Sequence, residues 1–373
     1  MGVPDFEALA NAAIQRLRAY DPGHDIVALR GRFPNGGLLE LGSNENTYGP
    51  SPRALAAMLE CVPDLHRYPD PLGTSLKQAI ADHLLLDPGQ IFLGNGSHEL
   101  LMMLAQAFAG PGADVVASEF GFAVYAIAAQ AAGASLSKAS ALPVTATMAR
   151  GHDLESLAAA VGETTRIVYL ANPNNPTGTW FSTAALDEFV SRLRDDILVV
   201  VDEAYLEYVD DPALVSAISL LSKHPNLVVT RTFSKAYGLA GLRVGYACAH
   251  VDLLRVLERV RESFNVNTLG LAACMAALAD QDHVRLIGRS NAEERVWLAA
   301  QLSARGLAVG PSQTNFLLAD FGRPAAPIES ELISRGVVLR PMAGYGLPTC
   351  LRITVGSRAE NQRLLLALDQ VLA

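Results

Sequence analysis

The sequence predicts an α/β chain: a large, mostly parallel sheet covered by helices, followed by a smaller α+β unit. Two observations carry this. The middle of the chain alternates continuous β-branched apolar runs with stretches of helical apolar spacing, as in parallel sheets buried on both faces. After about residue 270 the alternation gives way to one long helical stretch, three short strand-like runs and a closing helix. A chain of 373 residues, 50% of them hydrophobic, can bury cores of that size.

The elements follow in order. Residues 90–96, "QIFLGNG", read as a strand entering a turn, and 97–109, "SHELLMMLAQAFA", as a helix. Residues 113–120, "ADVVASEF", are a strand, followed by the helical "AVYAIAAQAAG". "RIVYLANPNNPTG", 166–178, runs from strand into turn. "DILVVVDEAY", 196–205, is a near-continuous strand ending in acid, and "NLVVTRTFSK", 226–235, ends in hydroxyls and a lysine. Then come the helical 272–306, the runs "TNFLLADF", "GVVLRPM" and "CLRITVG", and the final helix 358–373. The expected division is a large domain over 46–268 and a small one made of 1–45 with 269–373.

The net charge is −9 with both signs interspersed, so a nucleic-acid surface has no support. Cys61, Cys248, Cys274 and Cys350 are far apart, which argues against zinc and a disulfide framework. The first twenty residues are polar and amphipathic, unlike a signal peptide, and no stretch suits a bilayer. The expectation is a cytoplasmic protein with no membrane or nucleic-acid partner.

Polar residues fall where strands end. Gly96 with Ser97, Phe120, Asn175, Asp202 and Lys235 each follow the carboxyl end of a strand, and such ends line one ligand-binding edge of an open sheet. Each has an ordinary reading alone: Lys235 as a surface charge, Asp202 as a strand-end cap, Phe120 as core, "NPNNPTG" as a turn, His98 as a helix-start residue. Their order and joint location carry the inference. No complete dinucleotide fingerprint, P-loop, zinc-protease or nucleophile-elbow motif is present.

Together these residues meet the demands of pyridoxal 5′-phosphate. Lys235 is the candidate Schiff-base amine, made nucleophilic by desolvation and by the charge of Arg243. Asp202 is the candidate partner that keeps the ring nitrogen protonated, and so keeps the ring an electron sink. Asn175 and Tyr205 can reach the phenolic oxygen, and Phe120 can stack on the ring. The phosphate suits the helix start after Gly96, on the amides of Ser97 and His98. Thr232, Ser234 and Arg243 would close that cage.

"NPNNPTG", "VDEAYLEY" and "RTFSKAYGLAGLRVGY" resemble, in order, the blocks of class I/II (fold type I) PLP-dependent aminotransferases. The resemblance is greatest to the histidinol-phosphate aminotransferase subfamily, through "AYDPG", "LGSNENTYGPSP", "RYPDP", "FNVNTLGLAA", "TNFLL" and "VVLRPMAGYGLPTCLRITVGSRAEN". It implies a three-layer PLP domain and a catalytic trio of Lys235, Asp202 and Tyr205. It also implies a homodimer with shared sites, in which Tyr68 reaches the neighbouring subunit's cofactor phosphate. Arg352 would bind a substrate carboxylate, Arg340 and Tyr20 a distal anion, and Asn46 would also face substrate. The implied reaction is transamination between histidinol phosphate and 2-oxoglutarate, giving imidazole-acetol phosphate and glutamate. Aromatic amino acids as substrates, or PLP-dependent decarboxylation of a phosphorylated amino acid, are the alternatives. A non-enzymatic ligand sensor would need a DNA-binding module for which the residues before "YDPG" leave no room. Thr47, Ser118-Glu119, His98 and Leu269-Gly270 depart from the usual family pattern, mostly toward the substrate entrance.

Overall fold

The apolar runs of the middle third become the interior of one seven-stranded sheet in the computed structural model, which describes residues 3–19, 23–34 and 36–373. Among the described residues the strands of the first part are β1 (Leu39–Glu40), β2 (Ile91–Gly94), β3 (Asp114–Ser118), β4 (Ser135–Ala139), β5 (Thr165–Ala171), β6 (Leu198–Asp202), β7 (Leu227–Thr232) and β8 (Gly245–Ala249). The large sheet has the order β2-β8-β7-β6-β5-β3-β4. Neighbours from β7 to β4 are parallel, and β8 runs antiparallel to both β2 and β7.

Burial on both faces explains the lack of polar alternation. Val168, Leu170, Val199, Val201 and Val229 enter one core, with the helices Pro52–Cys61, Thr74–Leu84 and Thr183–Ser191. Ile167, Tyr169, Ala171, Val200 and Val228 enter the other, with the helices Ser97–Phe108, Ala123–Ala131 and Val251–Leu257. Each fully buried aliphatic side chain contributes about 1.5–3 kcal/mol. Two strands lay outside the expected set. The edge strand β4, "SLSKA", is only partly buried, and β8 starts at the last two residues of the lysine block.

The remaining strands are β9 (Ala308–Val309), β10 (Phe316–Asp320), β11 (Val337–Val338), β12 (Arg340–Pro341) and β13 (Cys350–Thr354). They form a four-stranded antiparallel sheet β12-β13-β10-β9 and a parallel pair β1-β11. Leu39 and Leu41 join the core of this unit with Leu317, Leu351 and Leu364, whereas the helix Ala12–Gln15 packs on Ala123–Ala131 of the large unit. The division falls later than residue 268. The helix Thr268–Leu278 packs on Pro52–Cys61, and Ala273, Cys274, Ala277 and Leu278 belong to the large sheet's core. Val284 and Ile287 of the helix Gln281–Ala304 do as well, whereas its Leu298 and Leu302 join the small core. "LAACMAAL" is apolar on every side, so it lacks the stripe that would have marked its partner. Among the described residues no helix is long and apolar enough to cross a membrane.

Candidate active site

Residues at several strand ends, among them Asn175, Asp202 and Lys235, line one cavity of about 300 Å³. Its floor is set by sheet register: Ala171 pairs with Asp202, and Asp202 with Thr230. Alternation sends neighbouring acids to opposite faces. Asp202 lines the cavity, while the buried Glu203 accepts from Arg231 Nε (3.1 Å), Ser216 Oγ (2.7 Å) and the Ala217 amide (2.5 Å). Asp202 is 5% exposed, and its Oδ1 is buried without a protein partner. Burial pushes its carboxyl up to about 7, against hydrogen bonding from Thr230 and the Ala204 amide.

Lys235 follows β7 and lines the cavity. Its Nζ donates to the carbonyls of Asn44 (3.1 Å) and Ser43 (3.3 Å). Burial draws the ammonium down to about 8. The larger of the two cationic contributions comes from Arg352, and Arg243 adds less. Burial and Arg243 both act in the expected direction, and Arg352 adds a charge that the sequence did not single out beside Lys235. Tyr205 is buried, and its hydroxyl accepts from Asn44 Nδ2 at 3.0 Å. Burial pushes its phenol up to about 12, so the proton stays and can be donated. Lys235 Nζ lies 5.7 Å from the Tyr205 ring centroid.

At the opposite end the helix Ser97–Phe108 points its first turn at the cavity, with Ser97 and His98 among the lining residues. Gly96 precedes it at φ 82°, and a Cβ there would overlap the Arg243 guanidinium, so only glycine leaves both amides and arginine in place. Arg243 Nη1 donates to Ser234 Oγ (3.2 Å) and Thr232 Oγ1 accepts from the Ser234 amide (3.1 Å). The result is a cationic pocket of amides and hydroxyls at a helix N-terminus, suited to a phosphate. Burial, then Arg243, pushes His98 below its ordinary value, so this ring is neutral and does not contribute a charge.

The roof comes from the small sheet. Arg340 on β12 and Arg352 on β13 are register partners, and both line the cavity. Arg352 Nη1 donates to Asn175 Oδ1 (2.6 Å) and Nη2 to the Gly42 carbonyl (2.8 Å), with its guanidinium 5.2 Å from the Phe316 ring centroid.

Several expected residues stand elsewhere. Phe120 is not among the cavity-lining residues; it packs beside Leu318, Met342, Leu347 and Cys350. The turn closed by the Gly121 amide on the Ser118 carbonyl carries the chain two residues further, and Phe122 is the aromatic at the cavity wall. Asn46 also lies off the cavity lining, because its Nδ2 donates to the Ala236 carbonyl (2.9 Å) and its Oδ1 accepts from the Tyr48 amide (2.9 Å). Asn44, at φ 56°, lines the cavity instead. Tyr68 is 83% exposed, stacked on Phe264 at 4.6 Å and outside this chain's cavity. Tyr20 lies outside the described residues.

Residues that sequence reasoning missed include Gly42, Ser43, Asn44, Pro173 and Tyr345. The signal for Tyr345 was the glycine on either side of it. Its hydroxyl accepts from the Ala123 amide (3.3 Å), linking the small unit to the start of the helix Ala123–Ala131. Two departures from the family pattern have local explanations. The Thr47 hydroxyl donates to Glu360, and Gly270 lets its helix approach Val244 where a Cβ would come within 2.6 Å.

A family model described as aminotransferase class I and II matches residues 37–368. The chain is 46% identical over 371 residues to histidinol-phosphate aminotransferase 2 of Pseudomonas aeruginosa, covering 99% of each. It is 43% identical to histidinol-phosphate aminotransferase 1 of Nitrosococcus oceani, covering 98% of each. The crystal structure of histidinol-phosphate aminotransferase from Sinorhizobium meliloti in complex with pyridoxal-5′-phosphate superposes with a TM-score of 0.87 at 34% identity, covering 97% of each chain.

Proposed function

Because the chain belongs to the class I and II aminotransferases and uses pyridoxal 5′-phosphate, we propose that it moves the amino group between histidinol phosphate and 2-oxoglutarate. The residues present fit that cofactor. The buried Asp202 Oδ1 lacks a protein partner, and Gly96 leaves a helix start bare beside Arg243. Lys235 would bond the aldehyde, Asp202 the ring nitrogen, and Asn175 and Tyr205 the phenolic oxygen. Ser97, His98, Thr232, Ser234 and Arg243 would hold the phosphate, and Phe122 would cover the ring. When bound, the cofactor supplies an electron sink and carries the amino group between the two substrates.

The chain's own groups do the rest. Lys235, drawn down to about 8, is about one-tenth neutral at pH 7 and half neutral a unit higher, so its Nζ can accept the α-proton of the bound amine and return it. Asp202 is raised while it faces only protein, and a cationic ring beside it favours the ionised form. Tyr205 keeps its proton and donates it as a hydrogen bond. Arg352, already oriented by Asn175 and Gly42, presents a fork to a carboxylate, and Arg340 binds the distal anion.

The observation that carries the substrate reading is the pairing of Arg340 with Arg352 on adjacent strands at one cavity wall. Two adjacent guanidiniums suit a phosphate dianion in one half-reaction and a dicarboxylate in the other. The test is steady-state turnover with 2-oxoglutarate and histidinol phosphate, phenylalanine or tyrosine as donor. Histidinol phosphate should give the highest kcat/KM, with one glutamate formed per turnover. A higher value for phenylalanine would move the substrate to the aromatic amino acids. Carbon dioxide release from a phosphorylated amino acid without 2-oxoglutarate would contradict transamination.

A homodimer belongs to the same proposal. Exposed Leu59, Leu65, Leu72 and Tyr68 support a face covered by a second copy, with Tyr68 reaching the partner's cofactor phosphate. Light scattering should give twice the chain mass of 39.6 kDa.

A further inference from the structure

Behind Arg340 runs a strand of backbone that the proposed chemistry does not use. Gly23 sits at φ 90°, and a Cβ built on it would overlap Arg340 Nη1 and lie 3.2 Å from its Cζ. The next residue, His24, pairs through Nε2 with Glu329 Oε1 at 2.5 Å. Glu329 is 8% exposed, on the helix Ala325–Ser334, which packs against β12 and β13, the strands bearing Arg340 and Arg352. Asp25 then caps the helix Ile26–Arg32 by accepting from the Ala28 amide (3.0 Å), and Arg30 forks onto Glu40 at 2.7 and 2.8 Å. His24 thus ties the start of this stretch to Glu329, and Leu39–Glu40 ties its end through parallel pairing with Val337–Val338. Gly23 and His24 line a small crevice together with Gly42, Ser43 and Arg340, and these last three also line the main cavity.

We propose that Gly23, held by the His24–Glu329 pair, is a positioning residue for the Arg340 guanidinium and thereby sets the preference for a phosphorylated over an unphosphorylated amine. The inference rests on the reading of Arg340 as the distal-anion site. The atom that a side chain at 23 would strike is the far end of a flexible arginine. The chain therefore answers such a side chain by turning the guanidinium away or by shifting the strained backbone at 23, and either moves the charge from its place without unpacking a core. A displaced charge loses the phosphate but leaves the amine and the ring-binding groups untouched. The His24–Glu329 pair sets how closely the Gly23 backbone is held, because it ties this segment to the same helix that backs Arg340.

The test compares Gly23→Ala, His24→Ala, Glu329→Gln and Arg340→Ala in the PLP-loaded protein. Dissociation constants for histidinol phosphate and for histidinol are measured by calorimetry on the same variants loaded with pyridoxamine phosphate, which cannot take up a second amino group, alongside kcat and KM of the PLP-loaded forms. Gly23→Ala should weaken histidinol phosphate about tenfold while histidinol changes by less than about twofold, since a misplaced group costs only the interaction it makes. KM should rise with kcat nearly kept. His24→Ala should move in the same direction by a smaller factor, and Glu329→Gln, which keeps an acceptor for the ring N–H, should stay near the parent. Equal weakening of both ligands by Gly23→Ala and His24→Ala would mark a merely structural segment and overturn the proposal. So would unchanged phosphate affinity in both variants while Arg340→Ala loses it. If Arg340→Ala itself treats both ligands alike, the distal-anion reading falls first, and this inference with it.

Discussion

The two walls of the cavity are built differently. One is delivered by the ends of buried parallel strands, where register fixes Asp202 beside Ala171 and Thr230, and places Thr232 and Lys235 just beyond. The other comes from a small antiparallel sheet, a connecting segment at 42–44 and a turn at 343–345, joined to the first by bonds such as Arg352 to Asn175 and Tyr345 to the Ala123 amide. The strand-end wall is rigid because each strand is packed on both faces. The small-sheet wall depends on a few polar bonds between units. Chemistry common to a family suits the first, and substrate choice suits the second.

Three changes probe that contrast, from the largest effect to the smallest. Lys235→Ala should cut turnover by at least about 10³-fold, the scale of removing a positioned proton-transfer group. Stopped-flow measurement of glutamate formation would show this, and a loss under tenfold would put the proton transfer elsewhere. Asp202→Asn should lower turnover by about 10²–10³-fold, the scale of losing one charge-stabilising partner.

That second variant also has a pH signature in the cofactor-free chain. Asp202 is raised to about 7 in the folded state, so folding favours its protonated form. Its contribution is fully present below the unfolded value and is lost as pH rises through about 7. Melting curves should therefore show the Asn variant more stable than the parent at pH 8, with the gap closing toward pH 4. A gap independent of pH would contradict a buried carboxyl that folding holds in its protonated form.

The third comparison separates two aromatics. Phe122→Ala should weaken cofactor retention about tenfold, whereas Phe120→Ala should cost about 1–2 kcal/mol of stability through the half-buried cluster it fills and leave cofactor affinity near the parent. Reversed effects would restore Phe120 to the cavity.

What could be read from the sequence follows the same divide. Asp202 ends the apolar run 197–201 and Lys235 stands three residues past the strand Leu227–Thr232, and a buried run of that kind fixes both the strand and where its end points. Asp202 was also separable from Glu203, since residues of opposite parity face opposite sides of a sheet. Phe120 and Asn46 each lie at a turn, where no period tells which of two nearby residues faces inward; Phe122 and Asn44 line the cavity. Tyr345 was missed because its position depends on a bond to the Ala123 amide more than two hundred residues away. The helix Thr268–Leu278, expected in the small unit, packs into the large sheet's core, and a helix apolar all round carries no directional signal for that.

The most direct test of the whole account is chemical. The chain's lysines are Lys77, Lys138, Lys223 and Lys235. Lys77 pairs with Glu258, Lys223 with Asp187, and Lys138 is exposed, so only Lys235 faces the cavity among the four. Borohydride reduction of the PLP-loaded protein, followed by peptide mass spectrometry, should place the pyridoxyl group on Lys235 alone. Label on one of the other lysines, or no label at all, would contradict it.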